Sequence, residues 1–119
     1  MTRTVYVNGE YLPEQDASIS IFDRGFLMAD AVYEVTTVLD GKLVDFDGHL
    51  RRLNRSLSEL KMIPPKNMAN LLEIHRELVK VNRVQQGMVY LQISRGPADR
   101  DFIFPSKPEP SLVLFTQEK

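Results

Sequence analysis

The sequence contains no cysteine, which excludes disulfides, thiolate metal sites and cysteine nucleophiles together and leaves a reducing cytosol open without requiring it. No run approaches the ~20 apolar residues of a membrane-spanning helix, and Met1 to Glu10 lacks the apolar stretch of a secretory signal. A cytoplasmic protein with no membrane partner is the expectation. One-signed charge is missing too: 15 basic and 16 acidic side chains leave a net charge of -1, so no global field draws the chain to nucleic acid, and any anion site has to be local. A glycine-rich nucleotide loop, a serine-nucleophile elbow and a histidine-carboxylate cluster at metal-ligand spacing are all absent, so no metal is expected.

What is present is an ordinary globular composition, 43% hydrophobic and 26% charged over 119 residues, enough for one domain spanning residues 1–119 with a modest core. Val5 and Val7 alternate with polar neighbours ahead of Asn8-Gly9, the signature of a tight hairpin whose return strand starts at Tyr11-Leu12 and ends at Pro13. Ser18 to Phe22 alternates, and Asp23-Arg24-Gly25 reads as a shaped loop. Ala31 to Phe46 predicts two strands around Asp40-Gly41. Asp47 is placed to cap a helix with leucines at 50, 53, 57 and 60, ended by Pro64-Pro65, and a second helix is predicted over about Asn67 to Arg83 with Gly87 at its exit. Strands at Met88 to Ser94 and Ser111 to Thr116 complete the set. The expected fold class is α+β, a mostly antiparallel sheet of hairpins with two amphipathic helices packed on it. The chain stops at Lys119 directly after a strand, which suits a fragment.

Three places carry candidate chemistry. His49 and Arg52 share one face near the start of the first long helix, where free N–H groups, the helix dipole and a guanidinium together suit a phosphate. The plainer reading makes Arg51, Arg52 and Arg55 a solvated basic face. Tyr33 and Glu34 must point to opposite faces of their strand, and a mid-strand glutamate has to be exposed or paired. The stretch from Arg95 to Phe102 is a loop with two arginines and two aspartates, in which Arg95 pairing with Asp99 or Asp101 is a structural alternative to binding. His75 reads as a satisfied core or boundary histidine.

Taken as an ordered set, Val5-Tyr6-Val7-Asn8-Gly9, Asp23-Arg24-Gly25-Phe26, Asp30-Ala31-Val32-Tyr33-Glu34-Val35, Asp40-Gly41-Lys42-Leu43, His49-Leu50-Arg51-Arg52-Leu53 and Arg95-Gly96 resemble the class IV aminotransferases. These are fold-type IV pyridoxal-phosphate enzymes that include D-amino-acid and branched-chain aminotransferases and aminodeoxychorismate lyase. The likeness is to the small N-terminal domain of a D-amino-acid aminotransferase. It implies that Arg52 grips the phosphate of pyridoxal 5'-phosphate with His49 beside the cofactor, that Tyr33 lines the substrate pocket, and that Arg100 takes the substrate carboxylate. The family's Arg-x-His is here Arg100-Asp101-Phe102, so Phe102 brings an apolar ring to the substrate site. Ala29-Asp30-Ala31 stands where the family has Gly-Asp-Gly.

The resemblance further implies amino-acid and 2-oxo-acid substrates and a homodimer in which the Arg100 loop reaches the neighbouring subunit's site. No catalytic residue is expected in this chain, because the family's cofactor-holding lysine lies in a larger C-terminal domain beyond Lys119, and Lys42, Lys61 and Lys66 match no such motif. The expected function is the N-terminal part of a transaminase moving an amino group from a D-amino acid to a 2-oxo acid, inactive alone. A branched-chain aminotransferase, an aminodeoxychorismate lyase and a non-enzymatic interaction module, in which the arginine loop binds a partner protein, are the alternatives.

Overall fold

A computed structural model describes residues 2–119. Thr4–Val7 (β1) and Glu10–Pro13 (β2) pair through a two-residue turn in which Asn8 and Gly9 both take positive φ, 48° and 97°, as such a hairpin requires. Ser18 to Phe22 forms no strand. The chain instead enters a five-residue helix, Arg24–Met28 (α1), because Asp23 caps it by accepting the Gly25 amide. Ala31–Leu39 (β3) and Lys42–Leu43 (β4) flank Asp40-Gly41 as expected, though β4 is only two residues long.

The helix Phe46–Glu59 (α2) is capped by Asp45, whose side chain accepts the Gly48 amide, and not by Asp47. It ends before the prolines. Lys61 turns into the left-handed region at φ 54°, the Met62 amide reaches back to Leu57, and the Lys61 amide to Ser58, a closure that buries Met62 against the core. Leu71–Val81 (α3) ends in the same way through Arg83 and Val84, whose amides return to Lys80 and Val79. Gly87, expected at that exit, lies inside the next strand, Gln86–Ser94 (β5), and Ser111–Glu118 (β6) follows.

These strands form one fully antiparallel sheet in the order β2-β1-β6-β5-β3-β4. Period-two alternation sends Val38, Val89, Leu91, Ile93, Leu112 and Leu114 to one face, where they pack on Leu53, Leu57, Leu71, Ile74 and Leu78 from the helices. Each such leucine, taken from water, contributes roughly 1.5–3 kcal/mol. The α+β expectation therefore holds, with both amphipathic helices on a single face. The opposite face stays open and bears Tyr33, Val35 and Leu39, with Tyr33 stacked on Tyr90 at 5.6 Å and Tyr90 on Phe115 at 4.9 Å. Because β4 pairs only with Val38 and Leu39, the first part of β3 is a sheet edge among the described residues. No helix among them is long and apolar enough to cross a membrane.

His75 sits in the core as the sequence suggests. Its Nδ1–H donates to the Leu71 carbonyl at 2.6 Å and its ring meets Phe46 edge-on at 4.9 Å. Burial pulls its pKa below the ordinary histidine value, against the opposing pull of that hydrogen bond. An unfolded histidine titrates near 6.5, so the unfolded chain takes up its proton first as pH drops. The ring's contribution to stability is complete above about pH 7 and is lost as pH falls through ~6.5 toward the depressed native value. The urea midpoint should fall between about pH 7.5 and about pH 5.5, and His75→Gln should flatten that fall; an unaltered slope in the variant would rule His75 out as its source.

Candidate active site

The centre of the candidate site is a carboxylate. Glu34 faces the helices from β3 and is 5% exposed, and α2 brings two groups to it one helical turn apart. Arg52 clasps it with both edges of one fork, Nε to Oε2 at 2.8 Å and Nη2 to Oε1 at 2.9 Å, while His49 Nδ1 lies 2.6 Å from Oε1. A carboxylate only accepts, so the proton of a neutral His49 ring sits on Nδ1 and leaves Nε2 free as an acceptor. Burial pushes the Glu34 carboxyl upward, but the hydrogen bonds of Arg52 and His49 outweigh it and hold it below the usual carboxylate range. In return, Glu34 raises the Arg52 guanidinium above its ordinary value. The requirement that a mid-strand glutamate be exposed or paired is met by pairing.

Arg52 is nevertheless two-thirds exposed, at 66% of its side chain. Of the five N–H donors of a guanidinium, Glu34 takes one on Nε and one on Nη2, and the rest, with all of Nη1, remain for a ligand. The other two arginines of the segment behave as a solvated face: Arg51 is exposed and Arg55 pairs with Glu59 on the helix surface at 3.2 Å. The helix N-terminus itself is not the free anion site expected, because the Asp45 side chain takes the Gly48 amide and Asp47 stands in the first turn. Two carboxylates there oppose a phosphate, which leaves the side chains of His49 and Arg52 as the candidates for holding an anion.

The remaining expected residues fall elsewhere. Tyr33, next to Glu34 in sequence, points to the open face and is 64% exposed, so it and the Glu34 carboxylate lie on opposite sides of the sheet. Arg100 and Phe102 stand on the connection between β5 and β6, with the guanidinium 5.5 Å from the ring centroid and the ring itself exposed. Arg95 pairs with neither Asp99 nor Asp101. It is buried and bonds Asp30 instead, at 2.8 Å, because the register Ala31↔Ser94 sets the residues before β3 beside those after β5. Arg24 joins the same carboxylate at 2.7 Å. The sequence signal for this cluster is the unexplained charge of Asp23-Arg24-Gly25 and of Asp30 beside apolar strands. No group of residues able to hold a metal ion occurs among those described.

The family described as Amino-transferase class IV matches residues 31–119. The chain is 37% identical over 115 residues to a D-alanine aminotransferase of Staphylococcus haemolyticus, covering 97% of this chain and 40% of that protein. It is 34% identical over 116 residues to an aminodeoxychorismate lyase of Bacillus subtilis, covering 96% and 40%. Among solved structures, a branched-chain amino acid aminotransferase from Escherichia coli superposes with a TM-score of 0.90 at 16% identity, over all of this chain and 42% of that one. The chain thus spans about 40% of the length of the curated relatives it matches. On the match over residues 31–119, the chain belongs to the class IV aminotransferases.

Proposed function

We propose that this chain is the N-terminal part of a pyridoxal-phosphate transaminase that moves an amino group from a D-amino acid to a 2-oxo acid. The observation that carries this reading is the clasp of Glu34 on Arg52, which fixes the guanidinium plane and turns its unused donors outward. Such a fork, held in one orientation, matches two oxygens of a phosphate. Arg52 would hold the cofactor phosphate there and His49 would stand beside it. When bound, the cofactor supplies a ring that takes up the negative charge left at the α-carbon once its proton departs.

This chain's residues act around that chemistry. Glu34 neutralises most of the charge on Arg52, so the corner works by aimed donors more than by net attraction. Tyr33 offers a phenol and a ring face on the open side of the sheet, where a substrate side chain is received. Arg100 offers a bidentate fork to the substrate carboxylate, with the Phe102 ring in place of a second polar contact. The exposed tip of that loop, with Phe102 79% and Ile103 77% exposed, supports a homodimer in which it reaches the partner's site. Identity of 37% to a D-alanine aminotransferase favours the D-amino-acid donor, and 34% identity to a lyase makes release of pyruvate from aminodeoxychorismate, by cleavage of its ether carbon–oxygen bond with the amino group retained, the second reading.

In the full-length protein, D-alanine and 2-oxoglutarate should give D-glutamate and pyruvate. Pyruvate released from aminodeoxychorismate without any amino transfer would decide for the lyase. Arg52→Ala should weaken pyridoxal-phosphate binding at least about tenfold, the scale of one lost charge-assisted hydrogen bond, read by absorbance titration. It should also lower the thermal midpoint, since Glu34 is left buried with His49 alone. The double change Glu34→Gln with Arg52→Ala should recover the midpoint and not the binding; recovery of both would mean that Arg52 serves only the fold.

A further inference from the structure

One carboxylate oxygen joins the two halves of the proposed site. Asp30 Oδ2 accepts Arg24 Nε–H at 2.7 Å and Arg95 Nε–H at 2.8 Å, and both arginine side chains are buried, 3% and 4% exposed. Their other donors leave in different directions. Arg95 donates to the Leu60 and Lys61 carbonyls at 3.0 and 3.1 Å, at the far end of the helix that carries His49 and Arg52. Arg24 Nη1 donates to the Asp101 carbonyl at 2.6 Å, one residue beyond Arg100. Backbone bonds run alongside, from the Arg24 amide to Gly96 and from the Arg95 amide to Asp30. The Phe104 ring closes the group, its centroid 3.6 Å from Arg95 Cζ and 5.8 Å from Arg24 Cζ.

Two buried cations on one anion leave a surplus positive charge that needs compensation. The carbonyls at the α2 C-terminus, the negative end of its dipole, and the face of Phe104 provide it. A buried network of this kind adds little stability over an apolar core of equal volume, and its distinctive product is fixed geometry. Here the geometry relates α2, β3 and the loop after β5. The start of that loop is tied by the Ala98 amide, which donates to the Phe22 carbonyl at 3.0 Å; past Ala98 its anchors to the rest of the fold are the Asp101 carbonyl and Phe104, and Phe102 and Ile103 turn outward.

We propose that Arg24, seconded by Phe104, is a positioning residue for Arg100: it grips the Asp101 carbonyl from a guanidinium held by the Asp30 carboxylate, which Arg95 shares, and so sets the carboxylate-binding loop at a fixed place relative to the helix bearing Arg52. This rests on the transaminase reading above.

Three variants of the full-length protein test it. Arg24→Lys keeps the charge but reaches Asp30 or the Asp101 carbonyl, not both. Phe104→Ala removes a half-exposed ring, leaves every hydrogen bond of the cluster and reads the ring's share of the anchoring, while Arg24→Gln, which loses the reach to the Asp101 carbonyl, tests the grip itself should Arg24→Lys not fold. Amide exchange over residues 99–104 should accelerate about tenfold or more while α2 and α3 exchange as before. KM for the amino acid should rise about tenfold, with kcat and pyridoxal-phosphate affinity within about twofold, the pattern of a misplaced binding group. Unchanged KM despite faster exchange would overturn the positioning role. So would a raised KM accompanied by losses of cofactor affinity and thermal midpoint, which marks a general structural tie. A wild-type protein that transfers no amino group would overturn the transaminase reading and with it the substrate half of the proposal; the exchange measurement still decides whether Arg24 holds the loop.

Discussion

The arrangement of this chain turns on the Asp30 carboxylate held between the buried guanidiniums of Arg24 and Arg95. Burial works to raise Asp30, but Arg95 and Arg24 together hold it below the usual carboxylate range, so it is ionised wherever the fold exists under ordinary conditions. Four segments meet at this point: the short helix after Asp23, the start of β3, the end of β5 and the last turn of α2. Without the shared oxygen, two desolvated cations would face one another across the sheet end, at a cost of several kcal/mol per ion. The sheet supplies the core, and this cluster supplies the relation between the core and the parts proposed to carry chemistry.

A second carboxylate repeats the theme at the candidate site. Glu34 and Tyr33 are neighbours in sequence and occupy opposite faces, so the pleat of one strand serves both sides of the sheet. On the helix side the charge is drawn inward and satisfied by His49 and Arg52. On the open side Tyr33 begins a row of rings through Tyr90 to Phe115. Directional donors lie on one side and flat apolar area on the other, with a single strand between them. The helix N-terminus, where dipole arguments would seat an anion, is already served by Asp45.

What is legible in the sequence is mostly local. Asn8-Gly9 and Asp40-Gly41 announce their hairpins because positive φ is demanded within the turn itself, and the leucine spacing of α2 and the apolar side of α3 follow from the helical period. Helix ends are harder. Prolines and Gly87 draw attention, whereas Lys61 and Arg83 adopt the left-handed turn because Met62 and Val84 gain burial by it, a tertiary reason that no local residue shows. The site divides the same way. His49 and Arg52 are visible as a helical pair, and Glu34 is visible as a group in need of a partner, but joining them requires α2 to be laid on β3. Local reading offers Arg95 the aspartates a few residues away, when its partner lies 65 residues back and comes near only through strand register.

The shortness of β4 has its own consequence. Ahead of Thr37, whose carbonyl accepts the Val44 amide at 2.9 Å, β3 has no strand on its outer side among the described residues, and its sequence there is β-branched and aromatic with Glu34 as its one charge. That charge is turned toward Arg52 and so does not serve as the gatekeeper that natural edge strands commonly carry. Where no other body shields this margin, its unsatisfied amides and carbonyls form a template for strand addition, and the state of association of the isolated chain becomes a function of its concentration.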